Sequence, residues 1–145
     1  MIRVVIDTNV VVSAALNDDG LPAAVLSLAI DKKVLMIVSD PILAEYERVL
    51  NRPYLKLSAT RIKALLADIH RSSTVIRPTR SVTVIEADES DNRFLECADA
   101  GGADYLVTGN TKHFPKAFDR TVIVTPKQFA ETILPVLTQL LDESS

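Results

Sequence analysis

Ile2-Arg3-Val4-Val5-Ile6-Asp7-Thr8-Asn9 joins a short apolar run to polar residues that follow it directly. An apolar run of this length, rich in β-branched residues, is typical of a strand buried on both faces of a parallel sheet. Asp7 then stands at the carboxyl end of that strand, the edge at which open α/β sheets collect ligands. Asp7 is equally suited to cap a following helix, and this segment alone does not decide between the two roles.

Strands and helices are predicted to alternate along the rest of the chain. Strands are predicted at 34–39, 74–77, 105–108 and 122–124, and helices at 10–16, 21–30, 41–51, 58–71, 91–100 and after 125. Because these strands are apolar throughout, they indicate a parallel sheet covered on both faces. The sequence therefore predicts an α/β fold, a three-layer α/β/α sandwich with a parallel sheet of about five strands, in a single domain over residues 1–145.

Composition excludes several classes of protein. No apolar run is long enough to span a bilayer, so no association with a membrane is expected. Cys97 is the only cysteine, and the N-terminal residues do not resemble a signal peptide, so neither a disulfide framework nor export is indicated. We therefore expect a cytoplasmic protein, with Cys97 as a small core residue.

The net charge of -3 hides a strong segregation of charge. Residues 48–80, here called the basic segment, contain eight lysines and arginines and one acid, Asp68. Residues 86–104 contain seven acids and one base, Arg93. The basic segment is able to attract phosphates, although such runs are ordinarily solvated helix faces.

Three further carboxylates are candidates for the same edge as Asp7. Asp91 lies on the apolar face of its predicted helix, where a charged group needs a partner or a metal. Glu45 and Glu47 flank the apolar stripe of the helix at 41–51 on opposite sides, and periodicity does not choose between them. Asp104 precedes its strand and is expected at the opposite edge of the sheet.

Several carboxylates at one edge repel one another unless some are protonated or a cation binds. Oxygen ligands select hard ions, so Mg²⁺ or Mn²⁺ is expected. The two histidines, His70 and His113, form no HExxH motif, and neither a phosphate-binding loop nor a GxSxG motif occurs. Metal-assisted phosphodiester hydrolysis is the leading use of such a site.

Four segments together resemble the PIN domain, in order and across essentially the whole chain. They are Ile6-Asp7-Thr8-Asn9-Val10, Leu43-Ala44-Glu45-Tyr46-Glu47, Ser90-Asp91-Asn92-Arg93-Phe94-Leu95, and Val107-Thr108-Gly109-Asn110-Thr111-Lys112-His113-Phe114. Each segment is weak alone, but their ordered combination is fairly specific. Within PIN domains, the chain most resembles the toxins of bacterial toxin-antitoxin systems, the VapC-like ribonucleases.

The resemblance implies a ribonuclease specific for single strands, in which Mg²⁺ or Mn²⁺ is held by Asp7, Glu45 and Asp91. It therefore favours Glu45 over Glu47. Asn110 stands where family members often have a fourth acid, which removes a charge from the implied catalytic set, while Asp88 is available from a nearby loop. The residues implied to orient the carboxylates are Thr8, Asn9 and Thr108.

The resemblance also implies partners. The residues expected to contact the RNA backbone are Arg48, Arg52, Lys56 and Lys112. Single-strand binders usually add stacking aromatics, and the nearby candidates are Tyr46 and Tyr54. A homodimer and a cognate antitoxin that blocks the site are implied as well, although no residue of this chain identifies that partner.

Three other interpretations compete with a nuclease. A nucleic-acid-binding PIN-like module with a weakened site is suggested by Asn110. A phosphatase of the haloacid dehalogenase kind also begins with an Asp after its first strand, but the required second Asp is replaced by Asn9, and Lys112 and Lys127 are only loose matches to its lysine. A receiver domain needs paired acids near the N-terminus, which Ile6-Asp7 does not supply.

Overall fold

A computed structural model describes residues 1–86 and 88–144, so residues 87 and 145 of the predicted domain lie outside the described part. Its strands are β1 (Arg3–Ile6), β2 (Leu35–Val38), β3 (Ser73–Val75), β4 (Tyr105–Val107), β5 (Ala117–Phe118) and β6 (Thr121–Val124). Its helices are α1 (Thr8–Leu16), α2 (Leu21–Ile30), α3 (Asp40–Leu50), α4 (Ala59–Ser72), α5 (Asn92–Gly101) and α6 (Pro126–Ser144).

In the described part of the chain the strands form one sheet of six, in the order β3-β2-β1-β4-β6-β5. The first five strands of that order are parallel, which confirms the predicted parallel sheet. The sixth strand, β5, was not predicted and pairs with β6 in the antiparallel sense. It is two residues long, and Asp119 in the turn has a φ of 51°, so no periodic signal marks it in the sequence.

The strand order reverses direction between β1 and β4. From β1 the chain builds outward through β2 to β3, and it then returns to the other side of β1 with β4. Ile6 is in register with Val107, so the residues that follow these two strands emerge side by side at the carboxyl edge. Ligands of open α/β sheets bind at such a reversal, because adjacent helices diverge there and leave a crevice.

Helices cover the two faces of the sheet and complete the three predicted layers. Helix α5 packs across β1, β2 and β4, whereas α2 contacts α1, α4 and α6. Strand β1 is at the centre of the core, where Val4, Val5 and Ile6 are completely buried. Cys97, on α5, is also completely buried, in agreement with its predicted structural role, and burial raises the pKa of its thiol to about 12.

The ends of the elements agree with local sequence signals. The Ser58 hydroxyl caps α4 by accepting from the Arg61 backbone N–H at 3.1 Å. Thr125 and Gln128 form a reciprocal capping box before α6. Asp104 lies at the amino end of the sheet, where its carboxylate accepts from the Arg3 backbone N–H at 2.8 Å. None of the helices in residues 1–86 and 88–144 is long and apolar enough to cross a membrane.

Gly101 leaves no room for a side chain between α5 and β2. A Cβ atom at this position would lie 2.7 Å from Cγ2 of Ile37, a fully packed core residue. Gly101→Ala is therefore expected to lower the free energy of unfolding by about 1–3 kcal/mol, because the core must shift to admit the methyl group. Urea unfolding followed by circular dichroism measures this change.

Gly20→Ala is the matched control, because its Cβ would meet the exposed Asn17 side chain at 3.3 Å and Cδ of Pro22 at an ordinary contact distance of 3.5 Å. This variant is expected to change stability by less than about 0.5 kcal/mol. Equal stability of the two variants would contradict the close packing of α5 on β2.

Candidate active site

Asp7 occupies the junction between β1 and α1. It stands at the N-cap position of α1, but its side chain makes no capping hydrogen bond. Its carboxylate instead accepts from the Thr108 hydroxyl at 2.7 Å, and its backbone N–H donates to the Val107 carbonyl at 2.9 Å. Of the two roles that the sequence allowed, the structure gives Asp7 the position at the sheet edge.

Asp7 and its neighbours line a cleft of about 420 Å³ at the carboxyl ends of β1 and β4, here called the acid cleft. Four of the lining residues are acids from three separate parts of the chain, namely Asp7, Glu45, and the pair Asp88 and Asp91 before α5. The polar residues around them are Thr8, Asn9, Ser13, Arg52, Tyr54, Ser90, Asn110 and His113, with Val12 and Val49 as apolar contacts. The fold therefore brings Asp7 and Asp91 together with one of the two glutamates that the sequence left open.

Glu45 projects from α3 into the acid cleft, and its carboxylate accepts from the Thr8 hydroxyl. Arg48, one turn further along α3, lies 3.6 Å from the same carboxylate. Glu47 is exposed and does not line the cleft. The contact between α1 and α3 sets this orientation, so it resolves the pair that periodicity left open.

Asp91 ends a short 3-10 turn and stands at the N-cap of α5. Its side chain is 14% exposed. Burial and, to a smaller extent, the negative charges of Asp7, Asp88 and Glu45 together raise the pKa of its carboxyl from 3.8 to about 6. Asp88 also lines the cleft, where its carboxylate accepts from the Ser90 backbone N–H at 3.1 Å and from the Ser90 hydroxyl at 2.6 Å.

Thr108 connects the carboxylate of Asp7 to the loop after β4. Its hydroxyl donates to Asp7 and accepts from the Asn110 backbone N–H at 3.1 Å. The side-chain oxygen of Asn9 accepts from the Gly109 backbone N–H at 3.1 Å. Thr8, Asn9 and Thr108 therefore bond to the carboxylates or to the loop beside them, in positions suited to orienting groups.

His113 was not predicted as a site residue, because the histidines were considered only as zinc ligands. It lies in the acid cleft, where its Nδ1 is 4.0 Å from the nearer carboxylate oxygen of Asp91. The side-chain nitrogen of Asn110 lies 3.1 Å from its Nε2. The available signal was its spacing, three residues after Asn110 in the same loop.

The four residues expected to contact RNA lie at different distances from the acid cleft: two are in it or beside it, and two are outside its lining. Arg52 lines the acid cleft, and Arg48 is beside it in contact with Glu45. Lys56 is exposed and outside the lining, and Lys112 lines a separate cavity with Lys116 and Phe114. Several other bases of the basic segment pair with acids, as in the ion pairs Arg61–Asp18, Arg71–Asp68, Arg80–Asp99 and Arg80–Asp119.

The acid cleft is electrostatically strained. Burial and, to a smaller extent, the negative charge of Glu45 raise the pKa of Asp7 from 3.8 to about 6, against the lowering effect of the Thr108 hydrogen bond. Within residues 1–86 and 88–144, no three acidic, histidine or cysteine side chains stand close enough to form a ready-made metal cage. The acids therefore line one cleft and repel one another there, but they do not stand close enough to surround a metal ion by themselves.

Asp7→Asn is expected to stabilise the metal-free protein. Because the folded-state pKa of Asp7 is raised from 3.8 to about 6, folded protein binds more protons than unfolded protein between these values. The free energy of unfolding therefore falls as pH rises through that window and stays low above it. An amide never ionises, so the variant should be more stable by about 1–3 kcal/mol near pH 7.5. Urea unfolding in EDTA measures this difference.

Asp19→Asn is the control, because Asp19 lies in the exposed turn before α2. It removes the same charge from the protein without relieving the acid cleft. The gain from Asp7→Asn should disappear near pH 4, where the wild-type carboxyl is protonated. A gain of equal size at both pH values would show that repulsion in the cleft is not its cause.

Comparison with known proteins agrees with this architecture. The family description of the PIN domain matches residues 3–112, which include every acid of the cleft. An uncharacterised protein of Methanocaldococcus jannaschii is 31% identical, over 90% of each chain. A chain in the crystal structure of VapBC2 from Rickettsia felis bound to a DNA fragment from their promoter shares the fold, with a TM-score of 0.59 and 17% identity over 86% of this chain and 98% of that chain. This chain therefore belongs to the PIN domain family.

Proposed function

We propose that this protein is a nuclease that hydrolyses single-stranded RNA with a divalent cation held by Asp7, Glu45 and Asp91. The observation that carries the proposal is the convergence of these three carboxylates in one cleft at the reversal of the strand order. Membership of the PIN domain family supports nuclease chemistry over other uses of an acidic cleft. The specificity for RNA and for single strands follows from the resemblance to VapC-like ribonucleases.

The donor set fits Mg²⁺ or Mn²⁺. The acids supply only oxygen ligands, which hard cations prefer. Mg²⁺ commonly binds one or two carboxylates directly and keeps several waters, so it does not require a closed cage of three acids. A bound cation would activate water and stabilise negative charge on the phosphate. Its charge would also offset the burial and the smaller mutual repulsion that raise the pKa of Asp7 and Asp91.

The chain's own residues hold this arrangement in place. The Thr108 hydroxyl fixes the Asp7 carboxylate and the Thr8 hydroxyl fixes that of Glu45, so both acids are oriented before substrate binds. Asn110 offers a neutral oxygen near the cleft in place of the fourth acid of other family members. Asp88 lines the same cleft and can add a carboxylate from the loop.

The cationic residues near the cleft are placed to bind the RNA backbone. Arg52 in the cleft wall and Arg48 beside it would contact phosphates next to the scissile one. Lys56 and Lys112 are exposed further out and would contact more distant phosphates. Each of these contacts would make binding weaker at high salt.

A nucleic-acid-binding module with a weakened site is the second candidate function. It is favoured by Asn110, whose side-chain nitrogen is 3.1 Å from the His113 ring and which brings no charge to the cleft. Such a module would bind RNA through the same basic residues without cleaving it. The two candidates therefore differ in whether the carboxylates are needed for turnover.

Asp7→Asn, Glu45→Gln and Asp91→Asn are each expected to reduce cleavage of single-stranded RNA by roughly 100-fold or more, because each removes a charge from the proposed metal site. EDTA should abolish cleavage by the wild-type protein, and Mg²⁺ or Mn²⁺ should restore it. The assay follows end-labelled oligoribonucleotides on denaturing gels.

Glu47→Gln is the matched control, since Glu47 lies two residues from Glu45 on the same helix but outside the cleft. It should cleave at the wild-type rate. Calorimetric titration with Mn²⁺ gives a second measurement, in which Asp91→Asn should bind more weakly. RNA binding without metal-dependent cleavage would support the binding module, and metal-dependent hydrolysis of p-nitrophenyl phosphate without RNA cleavage would indicate a phosphatase.

We infer that the protein acts as the toxin of a toxin-antitoxin pair, as a homodimer in the cytoplasm. The resemblance to VapC-like ribonucleases supports a cognate antitoxin that covers the acid cleft, and the fold shared with a chain of the VapBC2 complex agrees with it. The single buried thiol, Cys97, suits a reducing compartment.

Induced expression in bacteria is expected to arrest growth if the protein is a toxin, because uncontrolled RNA cleavage stops translation. Asp7→Asn expressed to the same level should permit normal growth, and so should wild type co-expressed with its antitoxin. Equal growth of cells that express active wild type and Asp7→Asn would contradict a toxic role. It would leave the nuclease activity itself unaffected.

A further inference from the structure

Tyr54 is an exposed aromatic residue at the acid cleft. All seven aromatic residues of the chain lie within the described ranges, and Tyr54 alone among them is exposed, at 70%. Tyr46, the other aromatic that the sequence placed near the basic segment, is completely buried, with its hydroxyl donating to the Ile6 carbonyl. Among the phenylalanines and tyrosines, only Tyr54 is therefore available to a ligand in the cleft, where the other exposed ring is the smaller imidazole of His113.

The ring of Tyr54 belongs to the wall of the acid cleft. It lines the cleft together with Val49 and Arg52, on the side formed by the end of α3. Asp7, Glu45 and Asp91 line the same cleft. An apolar surface and a cation thus adjoin a group of carboxylates. Each matches one part of a nucleotide: the apolar surface suits the base, the cation suits a phosphate, and the carboxylates suit a metal ion bound to phosphate oxygens.

The backbone at Tyr54 has a defined conformation. Pro53 begins a 3-10 turn over Pro53–Leu55, and the Leu55 N–H donates to the Arg52 carbonyl at 3.0 Å. Lys56 closes the turn with a φ of 55°. The Arg52 guanidinium donates to the Tyr54 hydroxyl at 3.3 Å. Because the turn orders the backbone and Arg52 contacts the hydroxyl, less freedom is lost when a ligand stacks on the ring.

We propose that Tyr54 stacks on an unpaired nucleobase of the strand in the acid cleft, while Arg52 contacts the phosphate beside that base. The inference rests on the proposed function and adds to it the element that recognises a single strand. Stacking is open to any base because each has a π-face. Bases inside a duplex are already stacked on their neighbours, so Tyr54 selects unpaired nucleotides without selecting a sequence.

The test uses full-length protein carrying Asp7→Asn, which binds without cleaving under the proposed function. Oligonucleotides of eight residues carry 2-aminopurine, a fluorescent base that is quenched by stacking, at successive positions. Affinity and quenching are measured for this protein with Tyr54 unchanged and for the same protein with Tyr54→Ala or Tyr54→Phe. Leu134→Ala is the matched control, because Leu134 is an exposed apolar residue of α6 outside the cleft.

Tyr54→Ala should weaken binding of single strands by about 5- to 100-fold and remove the quenching at one position. Tyr54→Phe keeps the ring and should bind like Tyr54, as should Leu134→Ala. An abasic nucleotide at the quenched position should weaken binding to the protein that keeps Tyr54. It should not weaken binding to the Tyr54→Ala variant, because that variant has already lost the same contact. Ribose and deoxyribose strands should show the same effect, and a duplex should show none.

Equal affinity and equal quenching for Tyr54 and Tyr54→Ala would overturn the inference. If the wild-type protein nevertheless cleaved single-stranded RNA, the proposed function would stand and only the stacking role of Tyr54 would be lost. Absence of both binding and cleavage would overturn the proposed function and this inference together. Binding that depends on Tyr54, in a protein that does not cleave RNA, would support the inference and favour the binding module.

Discussion

The pairing of β1 with β4 is the constraint on which the acid cleft depends. These strands are distant in sequence but adjacent in the sheet, and the Asp7 N–H extends their ladder by donating to the Val107 carbonyl. The Thr108 hydroxyl then holds the Asp7 carboxylate. A shift of one residue in this register would turn Asp7 away from Thr108 and into the wrong layer. The same contacts that close the centre of the sheet therefore place the first carboxylate of the site.

Two carboxyl groups of the acid cleft lower the stability of the fold when they ionise. Burial raises the pKa of Asp7 although Thr108 donates a hydrogen bond to it, so the ionised carboxylate is held at an unfavourable position. Asp91 is in the same condition, on a different element. Sites of this kind are common where catalysis or binding needs charge in an enclosed space, and the surrounding core must supply the compensating stability.

Much of the fold was predictable because its strands and helices carry clear periodic signals. The buried run of β1 made the sheet edge one of two positions predicted for Asp7, and the apolar face of its helix marked Asp91 as an acid that needs a partner. Only the resemblance to PIN domains placed both acids in one metal site. The choice between Glu45 and Glu47 was not predictable from periodicity, since both flank the apolar stripe of α3 and only its contact with α1 decides between them. Strand β5 and His113 lie in short irregular segments, where sequence period gives no information. Composition also could not show that much of the basic segment is paired with acids, so that its net charge does not form one continuous surface.

The separation of 101 residues between Asp7 and Thr108 determines when the acid cleft can form during synthesis of the chain. During synthesis β1 leaves the ribosome first, but its neighbour β4 follows only after β2, β3 and α5. Contacts between such distant segments form late in folding, because a long loop must be closed first. A nascent chain that has not yet released β4 therefore lacks the acid cleft, and any activity of the cleft begins only after β4 has emerged and paired with β1.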